Sequence, residues 1–568
     1  MSFSIARCII NALRASRSRT KINPTNSLIR ASKIVTNILD KSAESPLAAI
    51  HGPPGTGKTT VYIYSISDHL KHESVSLAEL KENVLYVTSL NRLIQDVFTR
   101  VLQELFSIGI IDIHDKSSLV SDLSSIRVFG SQIIPFASSS EIDELRRELG
   151  GVLNVEDLRG ILRSMTKREG KEKVRIVFTT EWQSAIVGLE RETFILVDEA
   201  SKSPMFHAFM PISREMLRGK TIDTHRLHLR GLTVIGDVQQ AVNLEPEYRS
   251  LMGRELLLLR YIEDIIRNAC KTGIIKNCED YLLILQETLR LPCPSETPIS
   301  HGYYDGLLRA IYTLKDKINI DVLSLINECL DEAYKAISPL KRYLGRIANV
   351  VTEYVEKIKT IIDSYKSISF EPKPPLVVIN TGRYRYQRGK EIEPHRVSIA
   401  SAIALLLAQT LKCVYTRNGR LLTLAVIAPY SELVNSIRQT FLHIESMLKS
   451  GDLENYVQFS TVHAFLGGEA DFVIAVLGRE YYSSLYHLPI YFREPELLNV
   501  QLSRHKLMLT VIGSVEYFLS SAKQFNIDRG YKEPRLEITL QQLMDMSTKH
   551  ELVIFYDEDR SRYRRIRT

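Results

Sequence analysis

The stretch Gly52-Pro53-Pro54-Gly55-Thr56-Gly57-Lys58-Thr59 fits the phosphate-loop pattern G-x-x-x-x-G-K-[ST]. It constrains the fold more than any other feature, because the pattern works only between a buried strand and a helix. Leu47-Ala48-Ala49-Ile50 predicts the strand, and Thr60 to Leu70 predicts the helix. Gly52, Gly55 and Gly57 let backbone N–H groups turn inward around phosphate oxygens, and the helix adds the positive end of its dipole. Lys58 is placed to reach the β- and γ-phosphates, and the Thr59 hydroxyl to hold Mg²⁺. Pro53, Thr56 and Thr60 complete the loop.

At 568 residues the chain exceeds what one core supports, so two to four domains are expected. The net charge of +7 dilutes 73 bases with 66 acids, which permits nucleic acid without demanding it. The six cysteines are scattered, with no CxxC and no Cys/His cluster. Zinc and iron–sulfur sites are therefore not expected, and unpaired thiols suit a reducing, cytoplasmic setting. No uninterrupted apolar run of 18 residues is present, so no membrane span is expected. Residues 1–39 carry seven bases and no acid before Asp40. That composition fits either a basic helical lead-in to the first domain or a mitochondrial transit peptide; the helical apolar spacing from Leu28 to Leu39 favours the lead-in.

Taken in order, the chain alternates strands and helices. Asn23 or Thr25 is placed to cap a helix before the loop. Asn83–Asn91, Val174–Thr180, Phe194–Glu199 and Leu232–Asp237 read as buried strands that end in polar residues. A parallel sheet binds ligands at that carboxyl edge. Residues 107–172 read as an insertion with a short strand near 126–129 and a charged helical part whose bases lie among acids. Residues 253–290 read as helical, and 309–368 as a helical hairpin packing on itself. A second strand–helix series runs from Pro375 to Ile512. The expected fold is α/β: two tandem RecA-like domains with parallel sheets plus helical insertions. The expected boundaries are 1–21 lead-in, 22–245 first domain, 246–530 second domain, and 531–568 an extension with a basic tail.

Asp198-Glu199 at a strand end downstream of a phosphate loop predicts a metal-holding carboxylate followed by one that polarises water. Gln240 in Gly236-Asp237-Val238-Gln239-Gln240 can donate to a γ-phosphate oxygen and accept from water. Arg290 and Arg504 are candidate cations against charge building on that phosphate.

These stretches together resemble superfamily 1B helicases, the Upf-like group. Besides the loop, Asp198-Glu199-Ala200-Ser201 resembles its DEAA/DEAS box, and Gly236-Asp237 with Gln240 its GDxxQ. Arg290, Ser300, Tyr303, Tyr304 and Gly306 keep the register of a further motif. Ser460 to Asp471 and Leu498 to Lys506 resemble its last two motifs. The resemblance implies ATP and Mg²⁺ as cofactors, with ATP bound where two domains close on it. It implies γ-phosphate contacts from Arg290 and Arg504, and a ribose contact from Glu469. It places Thr88, Asn91, Thr179, Thr461 and His463 along a single strand of DNA or RNA, and implies movement 5′ to 3′; a monomer is expected. Five positions depart from the group: Asn26 stands where it has an adenine-contacting Gln, Leu289 where it has a stacking Tyr, Lys202 and Leu466 where it has Gln, and Gly468 where it has Arg. The readings left open are a helicase or translocase, an ATPase that clamps or remodels nucleoprotein without unwinding, and an ATP-gated scaffold without turnover.

Overall fold

The computed structural model describes residues 3–17, 24–73, 76–134, 137–167, 174–187, 192–210, 229–240, 257–366, 372–382, 393–448, 451–480, 488–530 and 534–556. The chain divides into two compact units. The first holds residues up to Gly52, Thr56–Val238 and Val242–Leu285; the second holds Pro53–Gly55, Gln239–Ala241 and the chain from Gln286 onward.

In the first unit the elements run β1 (Phe3–Ser4), α1 (Ile5–Arg17), α2 (Asn26–Leu39), β2 (Leu47–His51), α3 (Lys58–Glu73), β3 (Asn83–Thr88), α4 (Asn91–Ser107), α5 (Lys116–Ser124), β4 (Ile126–Phe129), β5 (Ile133–Ile134), α6 (Ser139–Glu148), α7 (Val155–Thr166), β6 (Ile176–Thr180), α8 (Glu181–Val187), β7 (Thr193–Asp198), β8 (Leu229–Gly236), α9 (Leu258–Lys271) and β9 (Leu282–Ile284). Seven strands form one parallel sheet in the order β4-β6-β3-β7-β8-β2-β9. Helices cover both faces, so β3, β6 and β7 read as apolar runs rather than alternations. Because every strand points the same way, the phosphate loop after β2, Asp198 at the end of β7 and Thr180 at the end of β6 reach one edge.

Thr25 is the cap of α2, accepting from Leu28 N at 3.3 Å; Asn23 lies outside the described residues. The acid-free start of the chain is balanced from elsewhere in sequence. Arg7 and Arg14 pair with Glu144 at 2.9 and 2.8 Å, and Arg14 and Arg17 pair with Glu148 at 2.9 and 2.7 Å. Helix α1 buries Ile5, Ile9, Ile10 and Leu13 in the first unit's core. The charged helices of the expected insertion thus meet the basic lead-in, and β4 of that stretch is an edge strand of the main sheet. Arg168, Lys171 and Lys173 lie outside the described residues.

The second unit has β10 (Glu287–Pro292) paired with β11 (Arg309–Tyr312). Its main sheet contains β12 (Leu376–Thr381), β13 (Leu424–Ala428), β14 (Val457–Thr461), β15 (Ala470–Val476), β16 (His505–Gly513) and β17 (Val553–Tyr556), all parallel in the order β14-β13-β15-β16-β12-β17. Two parallel sheets clothed by helices are the tandem RecA-like arrangement the strand–helix rhythm predicts.

Several sequence expectations need correction. Of 253–290, only α9 and the single 3-10 turn Cys278–Asp280 are helical among the described residues: β9 completes the first sheet beside β2, so the first unit runs on to Leu285 rather than ending near 245, and β10 opens the second unit. Residues 309–312 are a strand, not helix. The helices Ile320–Ile337 and Ile347–Lys366 do pack together, but both are also built onto the second unit's core, the former against Pro394–Asn418. The expected extension supplies helix Arg535–Lys549 and strand β17; its basic tail is outside the described residues. Four cysteines are paired, Cys270 with Cys278 and Cys329 with Cys413. Spacing could not show this, since helix faces 84 residues apart bring the second pair together. Helix Pro394–Asn418 is long and apolar enough to cross a membrane, yet 78% of its most apolar stretch is buried inside the protein as a core helix.

Candidate nucleotide site and nucleic-acid interface

In the first unit, β2 ends at His51 and α3 begins at Lys58. Gly52 and Gly57 are both forced: a Cβ at Gly52 would meet Lys58 Cγ at 2.2 Å, and Gly57 has φ +86° with Leu28 Cδ1 2.7 Å from where a Cβ would stand. Lys58 Nζ donates to Gly52 O at 2.8 Å. Thr56 is buried, and Thr60 Oγ1 accepts from Arg100 at 2.7 Å. Thr59 Oγ1 donates to Asp198 Oδ2 at 2.7 Å, and Tyr86 OH donates to the same oxygen at 3.0 Å. Burial pushes the Asp198 carboxyl above its ordinary range, and the neighbouring Glu199 pushes it further.

A cation beside Thr59 and Asp198 would relieve that strain. No cluster of three or more His, Cys, Asp or Glu exists among the described residues. One carboxylate and one hydroxyl fit Mg²⁺, which keeps waters and phosphate oxygens for the rest of its shell.

Glu199 adopts φ 59° at the head of a short turn, Ala200–Lys202. Its Oε2 lies 2.8 Å from Lys202 Nζ, with both side chains buried. Sequence reading noted Lys202 only as a departure; its pairing with Glu199 was not foreseen. Ser201 Oγ accepts from Asp237 N at 3.0 Å, tying the acidic box to the end of β8.

In the second unit, the loop tip meets β10. Leu289 N donates to Gly55 O at 2.9 Å and Thr288 Oγ1 to Pro54 O at 2.9 Å. Gly55 has φ +73°, and a Cβ there would stand 2.3 Å from Arg290 Cβ. Arg504 is buried, with Nη2 3.5 Å from Gln240 Oε1 and Nε donating to Val500 O at 3.1 Å. Arg290 Nε donates to Glu469 Oε2 at 2.9 Å, and Lys506 Nζ lies 3.0 Å from the other oxygen. Burial alone would raise the Glu469 carboxyl; Arg290 and Lys506 more than offset this and hold it below its ordinary value. Glu469, expected at a ribose, is thus the partner of a candidate finger. Lys317 Nζ donates to Leu289 O and Arg290 O at 2.6 and 2.7 Å, and burial pushes its amine down to about 8. Only the surroundings of Arg290 in three dimensions reveal Lys317 and Lys506. Asn26 is exposed as the first residue of α2.

The residues expected along a strand of nucleic acid divide. Thr88 and Thr179 are fully buried. Asn91 exchanges hydrogen bonds with Ser131 at 2.9 and 3.0 Å. Thr461 and His463 line an open cavity of about 560 Å³ with Pro429, Tyr430, Ser431 and Glu432. The last four were missed, although their place after the carboxyl end of β13 was a usable signal.

Two family models match the chain, each described as an AAA domain, one over residues 31–172 and the other over 324–516. With the ordered motifs, they decide the family. The chain belongs to the Upf-like superfamily 1 helicases. No curated protein matches this helicase-family chain. Solved structures similar to it include the DUF1998 helicase MrfA bound to DNA, with TM-score 0.37 and 9% identity over 92% of this chain and 50% of that one. A variant of S. cerevisiae Dbp5 bound to RNA and ADP BeF3 gives 0.36 and 8% over 98% and 96%. The ATP-dependent Type ISP restriction-modification enzyme LlaBIII bound to DNA gives 0.33 and 10% over 95% and 31%. The Upf-like chain spans about half the length of the first of these.

Proposed function

We propose that this chain hydrolyses ATP with Mg²⁺ to move along single-stranded nucleic acid and separate duplexes, in the 5′-to-3′ direction its family resemblance implies. The observation that carries the reading is the convergence in the first unit of Lys58, Thr59, Asp198 and Glu199, with Thr59 Oγ1 2.7 Å from Asp198 Oδ2. Thr59 and Asp198 would hold Mg²⁺, which neutralises developing phosphate charge when bound. Lys58 draws the β- and γ-phosphates. Glu199 orients water and accepts its proton. Gln240 and Arg504, 3.5 Å apart in the second unit, sense and neutralise the γ-phosphate, joined by Arg290 once it leaves Glu469. Closure of the two units around ATP, and reopening after hydrolysis, turns the chemistry into movement.

The test is phosphate release titrated with single-stranded DNA and RNA, followed by unwinding of duplexes tailed at either end. Lys58→Ala and Glu199→Gln are each expected to abolish turnover; wild-type rates in either variant would remove the site assignment. A second reading, an ATPase that remodels nucleoprotein without unwinding, draws on the Glu199–Lys202 pair, which holds the water-polarising carboxylate. Turnover stimulated by nucleic acid without strand displacement would establish it.

A further inference from the structure

The chain has one tryptophan, Trp182, and it is 63% exposed. It stands two residues past the carboxyl end of β6, on the edge where the phosphate loop and Asp198 also lie. Such a ring is normally covered, so an uncovered one at a ligand-bearing edge calls for an occupant.

The ring is held on a rigid base. His207 lies beneath it, ring centroids 4.9 Å apart and edge to face; Phe206 meets the same imidazole at 4.7 Å and is 37% exposed. His207 is buried, its Nδ1 2.6 Å from Glu181 Oε2. The other oxygen of Glu181 accepts from buried Ser203 Oγ. Two half-open rings are thus fixed to the sheet edge through a buried polar cluster, so neither has to be ordered when a ligand arrives. Arg92 is exposed at the start of α4, the helix that follows β3, the neighbour of β6 in the sheet. A flat apolar face on a sheet edge that also carries an exposed cation one strand away matches a nucleobase of a strand whose phosphates run along that edge.

We propose that Trp182, flanked by Phe206, is a stacking platform for one base of a single strand carried by the first unit. The proposal rests on the nucleic-acid reading above and adds a base contact where sugar–phosphate contacts were expected. It also supplies a grip on this unit that the buried Thr88 and Thr179 cannot.

Because the chain has a single tryptophan, its emission reports this site alone. The full chain is titrated with a 15-nucleotide oligo-dT and oligo-U, reading tryptophan fluorescence on one channel and anisotropy of an end-labelled oligomer on the other. Emission is expected to be quenched in step with the anisotropy rise. Trp182→Ala should weaken binding roughly five- to a hundredfold, and Trp182→Phe, which keeps a ring, only a few-fold. Thermal unfolding of both variants checks the fold. An oligomer that binds by anisotropy while emission stays constant and Trp182→Ala binds like wild type overturns the platform and leaves the nucleic-acid reading standing. No binding to either oligomer, with or without nucleotide, overturns both.

Discussion

Lys202→Gln is the most informative single change, because it puts an amide where a cation grips Glu199, the carboxylate proposed to polarise water. The pair is 2.8 Å long, and its side chains are only 5% and 11% exposed. At an effective dielectric near 20 the gross attraction is about 6 kcal/mol, against which stands the desolvation of both charges. Removing one member of a buried pair costs about 3–5 kcal/mol. Gln retains a donor for Glu199, so the lower end applies, on the order of a 6–10 °C fall in Tm. The deficit should depend on pH. The Asp198 carboxyl is already raised by burial and by Glu199, and removing a cation 2.8 Å from Glu199 would favour a proton on the two carboxylates further. A carboxyl raised by folding contributes stability below its unfolded value that is lost as pH climbs through the folded value. The gap between wild type and variant, measured without nucleotide in EDTA, should therefore widen from pH 5.5 to 8.5. Turnover should move the other way. Backbone bonds hold Glu199 in place regardless of Lys202: Glu199 N donates to Asp198 Oδ1 at 2.8 Å, and Lys202 N to Glu199 O at 2.9 Å. Released from its cation but still positioned, Glu199 accepts a proton more readily, so phosphate release at pH 8 should rise about three- to tenfold. A variant that melts within 2 °C of wild type at every pH and turns over at the same rate would refute the reasoning.

Two further outcomes follow from the second unit and from burial. The Lys317 amine, pushed down to about 8 from 10.5 mainly by burial, makes folding less favourable below that pH; stability should rise by roughly 2–3 kcal/mol as pH climbs from 8 to 10.5, and Lys317→Met should flatten that part of the curve, as read by chemical denaturation. Thr179→Val should leave affinity for single-stranded oligomers within twofold because its hydroxyl is buried, whereas His463→Ala, on the open cavity of the second unit, should weaken it several-fold; equal effects of the two would remove the assignment of that cavity to nucleic acid.

The fold and the geometry of the phosphate loop were legible because each depends on a local rule. A glycine-rich loop between strand and helix fixes its own geometry, and Gly52, Gly55 and Gly57 are where no Cβ fits. The place of Asp198 was legible because an apolar run that stops at a carboxylate marks the end of a buried strand, and Thr59 and Tyr86 donate to it there. Residues 253–290 misled because β9 is three residues long and β10 is half-buried, too short and too mixed to interrupt a helical reading. Thr88 and Thr179 misled for a different reason. A resemblance assigns a position, but exposure depends on what packs over it: Thr88 ends β3 and Thr179 is the penultimate residue of β6, and both strands lie inside the sheet. Lys202, Lys317 and Lys506 were invisible as partners because an ion pair is a property of two side chains in space.

Those partners bear on the proposed function. In the first unit Glu199 is committed to Lys202; in the second Arg290 is committed to Glu469, with Lys506 on the same carboxylate. A finger held at 2.9 Å by a carboxylate is not available to a phosphate. In the proposed function the γ-phosphate would therefore have to outcompete Glu469 for Arg290, and the exchange would lower the gain from ATP while leaving ADP, which lacks that group, unaffected. Glu469→Gln should accordingly tighten binding of a non-hydrolysable ATP analogue by several-fold and leave ADP affinity unchanged, because only the triphosphate draws on Arg290. A variant that tightens both nucleotides equally would instead place Glu469 at a part of the nucleotide the two share, the ribose its position in the family motif implies.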